Sequence, residues 1–161
     1  MYDVRAIANW VLDSADKRGM PLTNMAINKI VYFLVERAVI ERGTLVTDAK
    51  IEAWQHGPVF REIYHAFKSF GDAPISGRAS MFDLSSRSMI VAEASISAQD
   101  QDLFISTLDQ YIGLSPAHLR ALSHRQDGPW HRVWWHEAKH NPGMEITAET
   151  ILSAHSSEIV Q

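Results

Sequence analysis

His136, Glu137, Ala138, Lys139 and His140 spell H-E-x-x-H. On a helix this spacing sets two imidazoles one turn apart to hold zinc, with the glutamate placed to activate water. Gly143 stands where longer versions of the motif carry a glycine. The third ligand is missing from its place, because Ile146 occupies it and cannot coordinate a metal. Glu158 has about the right spacing for another zinc-hydrolase pattern, but so close to the end of the sequence a ligand would be poorly held. Pro142 stops any helix just after the second histidine, and no convincing edge strand precedes the motif to hold an extended peptide. The expectation is a solvated helix surface, with zinc-dependent hydrolysis by His136, Glu137 and His140 kept as the alternative function.

Little else in the sequence does chemistry. His56, His65, His118, His124, His131 and His155 are scattered over several elements. There is no G-x-S-x-G elbow, phosphate-binding loop or dinucleotide fingerprint, so nucleophilic and nucleotide chemistry lack an anchor. With no cysteine, thiolate nucleophiles and iron–sulfur clusters are excluded, and a reducing compartment is permitted. No cofactor is expected. A length of 161 residues with 46% hydrophobic and 21% charged residues fits one domain, taken as 1–161.

Charge excludes a further class. The net charge is −4; residues 1–80 hold 10 basic and 9 acidic groups, residues 81–161 hold 5 and 10. Neither half carries the basic footprint of phosphate-driven binding, so DNA binding is not expected. Met1 to Val11 lack the pattern of a secretory signal, and the longest apolar run, Ile30 to Val35, is far short of a membrane span. The expectation is a cytoplasmic protein without membrane insertion.

The elements that must position any site are mostly helical. Val4, Ile7, Ala8, Val11, Leu12 and Ala15 share a helical face that ends before Gly19 and Pro21. Thr23 caps a second helix, Asn24 to about Glu41, ending at Gly43; its apolar residues cover more than one face, as expected for the buried centre of a bundle. Residues 45–54 read as a short extended segment or loop. Gly57 and Pro58 read as the opening of a third helix that runs through Tyr64 and Phe67 to Gly71. The serine-rich stretch 72–97 reads as loop with one or two short strands, the best at 89–96. Ser97 caps a fourth helix to Gly113, and Ser115 with Pro116 starts a short one to His124. Pro129 leads a tryptophan-rich helix closed by Asn141 and Pro142, and Thr147 caps a terminal helix. The fold class is mainly α, a bundle of six or seven helices with a minor β element around residues 45–54 and 88–96.

Three segments taken together carry a resemblance: N-M-A-I-N-K-I-V-Y-F-L from residue 24, I-E-A-W-Q-H-G-P-V-F-R-E-I-Y-H-A-F at 51–67, and L-R-A-L-S-H-R-Q-D-G-P-W at 119–130. In order and spacing they resemble the Panacea domain family of SocA-like antitoxins, also described as phage-associated proteins. The junction from Ala53 to Val59 is its most specific piece, because helix capping does not demand a tryptophan three residues before Gly-Pro. Lys29, Tyr32, Trp54, Gly57, Pro58, Tyr64, His124 and Trp130 match the family's signature positions. Ile30 departs from the usual leucine, and the loop before Gly128 and Pro129 is one residue longer than is common. The resemblance implies a non-enzymatic antitoxin that binds and neutralises a co-encoded protein toxin. In one branch it implies an adaptor that delivers the toxin to a AAA+ protease. From the residues themselves, Trp54 and Trp130 read as core partners at two proline-led junctions. One of the adjacent Trp134 and Trp135, with Trp10 and Tyr2 as outside candidates, reads as an exposed aromatic in the partner surface.

Overall fold

Helix α2, Asn24–Arg42, is the element around which the rest is built, in a computed structural model that describes residues 1–160. Thr23 accepts the amide of Ala26 at its start, and Gly43 closes it in the left-handed conformation. Between these caps Ile27 to Val35 are all buried, so no single face is apolar. Helices α1 (Val4–Lys17), α3 (Arg61–Phe67), α4 (Ala98–Tyr111), α5 (Pro116–Ser123) and α7 (Ala148–Val160) pack around it. Helix α6, Pro129–Trp134, joins α7 to the β element. No helix is long and apolar enough to cross a membrane among the described residues.

The β element differs from the helix start expected at Gly57 and Pro58. Strands β1 (Ile51–Trp54) and β2 (Gly57–Phe60) form an antiparallel hairpin, and α3 begins only at Arg61. Trp54 pairs with Gly57 across the two-residue turn Gln55-His56, and Gly57 takes φ +111, which an L side chain rarely adopts. Pro58 is tolerated because its partner Ala53 turns its amide and carbonyl the other way, to Met144 and from Gly143. A missing N–H at that register costs no ladder bond. The segment 143–146 thus flanks β1 on its far side, and β2 is left as an edge.

A second hairpin pairs β3 (Ser80–Asp83) with β4 (Ser88–Val91). Its base is clamped from α1 by Asn9, whose side chain donates to the carbonyls of Ala79 and Ala92 and accepts the Ala79 amide. The tryptophan-rich helix is also shorter than expected. It ends at Trp134, and a 3-10 turn at His136–Ala138 follows in which Glu137 and Ala138 both have positive φ. Asn141 arrests the helix by donating its side-chain amide to the carbonyls of Trp134, His136 and Lys139.

Candidate functional site

The β1–β2 hairpin is an edge whose outward backbone groups need partners, and two polar residues of α2 supply them. Lys29 Nζ donates to the Pro58 carbonyl at 3.0 Å, and Asn28 Oδ1 accepts the Phe60 amide at 3.1 Å. Asn28 is itself held by Asn24, whose side chain reaches on to the Tyr64 carbonyl in α3. A buried polar pair in the most buried helix thereby fixes the hairpin, because an unpaired strand edge at this depth would be costly. Lys29 is 2% exposed. Burial, with the nearby Arg120 charge as a lesser cause, pushes its pKa down to about 7.

Gly57 brings the second group of residues together. A Cβ there would lie 2.7 Å from Ser123 Oγ, 2.9 Å from Lys29 Cε and 3.2 Å from His124 Nε2, so hairpin, α2 and the end of α5 meet at one backbone atom. The His124 ring stacks on Trp130 with centroids 3.7 Å apart. Trp130 stacks in turn on Trp134, and Trp134 on His140. His124 Nε2 is buried with no hydrogen-bond partner among the described residues, and burial lowers the pKa of the ring. Trp130 Nε1 donates to the Trp54 carbonyl at 2.8 Å. The two tryptophans are therefore joined by a hydrogen bond, while the Trp54 ring packs edge-on against Tyr64 at 5.0 Å. Trp130→Phe should cost about 1 kcal/mol in urea unfolding, the net worth of that bond, because the Trp54 carbonyl keeps its partner Gly57 across the hairpin.

Of the eight signature positions, seven gather at the hairpin: Lys29, Trp54, Gly57, Pro58, Tyr64, His124 and Trp130. Tyr32, a turn further along α2, belongs elsewhere. Its hydroxyl donates to Glu36, which is 5% exposed and accepts Arg125 at 2.7 Å, and Arg125 also reaches Glu158 on α7. Sequence reading missed Asn28, Glu36, Ser123 and Arg125. Polar residues bordering the apolar run Ile30 to Val35 were the available signal for the first two.

The H-E-x-x-H segment does not form a zinc helix. Glu137 and Ala138 sit in left-handed backbone, which breaks the one-turn relation between His136 and His140, and the His140 ring is engaged by Trp134 and Trp135. Among the described residues no group of three or more His, Cys, Asp or Glu side chains is placed to hold a metal ion. Of the adjacent tryptophans Trp134 is buried and Trp135 is 44% exposed, the division expected of neighbours on a helix end.

The sequence model of the family described as "Antitoxin SocA-like, Panacea domain" matches residues 27–131. The chain belongs to that family. Among curated proteins, Antitoxin SocA of Caulobacter vibrioides is 34% identical over 131 residues, which cover 80% of this chain and 68% of that protein. No solved structure matches the chain. All eight signature residues fall inside the matched Panacea segment, whereas His136 to His140 fall outside it. In this Panacea domain the residues that carried the resemblance are thus largely contacts that seat one hairpin between α2, α5 and α6.

Proposed function

We propose that the chain is an antitoxin that neutralises a protein toxin encoded beside it, by direct stoichiometric binding and without turning over a substrate. The observation that carries this is membership of the SocA-like antitoxin family over residues 27–131, with 34% identity to an antitoxin. The architecture accords with a binding role: Lys29 and Trp130 each donate to a carbonyl of the hairpin, and His124 stacks on Trp130. Residues 1–161 act as one domain in this reading, in the cytoplasm, and Trp135 is the exposed aromatic offered to the partner, because large aromatics contribute most to interfaces.

The neighbouring open reading frame provides the test. Expressed alone it should arrest growth, expressed with this chain it should not, and the two products should co-purify at fixed stoichiometry. Trp135→Ala should weaken the complex at least tenfold while the free chain stays folded, as its circular dichroism checks. A neighbour that is harmless alone, or one whose toxicity persists beside a well-expressed, folded chain, overturns the proposal.

A further inference from the structure

A cavity of about 420 Å³ opens beside the hairpin, between α2, the β1–β2 turn and α3. Its walls are apolar and aromatic, formed by Trp54, Tyr64 and Val59, while Lys29 lines its buried end and Lys68 stands exposed at its mouth. Ligand sites have this size and this division between apolar walls and a few convergent polar groups.

The buried end is electrically unfinished. An ammonium has three N–H donors, yet Lys29 makes one hydrogen bond, to the Pro58 carbonyl, and no carboxylate lies within ion-pair distance among the described residues. Buried lysines are ordinarily paired. Arg120 adds positive charge near Lys29, Lys68 adds it at the mouth, and Asp72 at the rim is the single acidic group of the lining. The asparagines nearby are not bonded to the amine. Asn28 Oδ1 is taken by the Phe60 amide, and Asn24 Oδ1 by the Asn28 side chain.

We propose that this cavity is a binding site for an oxyanion, a carboxylate or a phosphate carried on a flat apolar body, with the charged group on Lys29 Nζ and the body laid against the wall that Trp54 and Tyr64 form together. An anion there would satisfy the free donors of a buried cation, and charge-assisted hydrogen bonds are the strong ones. Binding is linked to protonation, because an anion favours the charged amine. The site needs no toxin, so its fate is independent of the antitoxin reading.

The experiment uses the isolated full chain with benzoate, inorganic phosphate and adenosine monophosphate as probes. The Lys29 side-chain resonance is followed by NMR and assigned by its disappearance in Lys29→Met. The expected result is a saturable shift of that resonance with at least one probe, and a rise of its titration midpoint by about one unit, the size that tenfold preference for the charged form produces. A response to benzoate alone assigns a carboxylate, and a response to the phosphates assigns a phosphate. Lys29→Met should lose binding by at least tenfold and Lys68→Ala should weaken it severalfold. If Lys29→Met does not fold, the midpoint of the wild-type chain, assigned through its proximity to Pro58 and Gly57, decides. An unmoved midpoint with all three probes at millimolar concentration, or equal binding by a folded Lys29→Met chain, overturns the proposal.

Discussion

Gly57→Ala should destabilise the chain by about 4 kcal/mol, the sum of two separable penalties. The first is conformational, since φ +111 lies outside the regions an L residue adopts without strain. The second is steric. The new methyl would stand 2.7 Å from Ser123 Oγ and 2.9 Å from Lys29 Cε, both buried, so neither can swing into solvent. Gly43→Ala provides the comparison, because Gly43 also has positive φ but nothing lies within 4 Å of its Cβ position. It should cost about 1 kcal/mol, conformational strain alone. Urea unfolding of both variants checks the pair of values, and Gly57→Ala with Ser123→Gly should recover part of the steric share. Equal losses at the two glycines would mean that the convergence of hairpin, α2 and α5 on Gly57 is not what requires a glycine there.

That convergence also explains how much of the site could be read without a structure. Local signals were legible because they are local: Thr23, Ser97, Ser115 and Thr147 are followed by helices, and the unbroken apolar run of α2 meant burial on every side. Gly57 and Pro58 read wrongly as a helix start because the same dipeptide serves a tight hairpin when the glycine takes positive φ. Which use applies depends on the strand behind it, and although an extended segment is expected within residues 45–54, nothing local marks Gly57 as the start of its partner. The H-E-x-x-H helix failed for the converse reason. Its ending is imposed by Asn141 from outside the motif, and by two left-handed residues that sequence pattern does not mark. Asn28 and Lys29 matter through a strand edge some thirty positions away, a pairing that periodicity within one helix cannot encode.

Arg125→Met tests the other buried charge, with an expected loss of about 3 kcal/mol at neutral pH. Glu36 is 5% exposed, accepts Arg125 and Tyr32 on the same oxygen, and lies in the middle of the most buried helix. Burial already raises its pKa above the ordinary carboxylate value, and Arg125 is the main group opposing that rise. Without the arginine the native state holds the Glu36 proton to still higher pH than the unfolded chain does. Stability must then fall as pH rises from the unfolded value of 4.5 through the raised native one, and recover on acidification. The deficit of Arg125→Met relative to wild type should therefore shrink between neutral pH and mildly acidic pH. Adding Glu36→Gln should restore most of the loss at neutral pH, because the amide is uncharged and its oxygen still accepts the Tyr32 hydroxyl. Glu158, the exposed second partner of Arg125, contributes little to either effect. Arg125 directly follows His124, so its anchorage on Glu36 also fixes the imidazole against Trp130 and the wall of residues around Gly57. The ring resonances of His124 in Arg125→Met should broaden or shift at neutral pH and return with Glu36→Gln. A pH-independent deficit that the glutamine does not repair would place the role of Arg125 in packing rather than in neutralising a buried carboxylate.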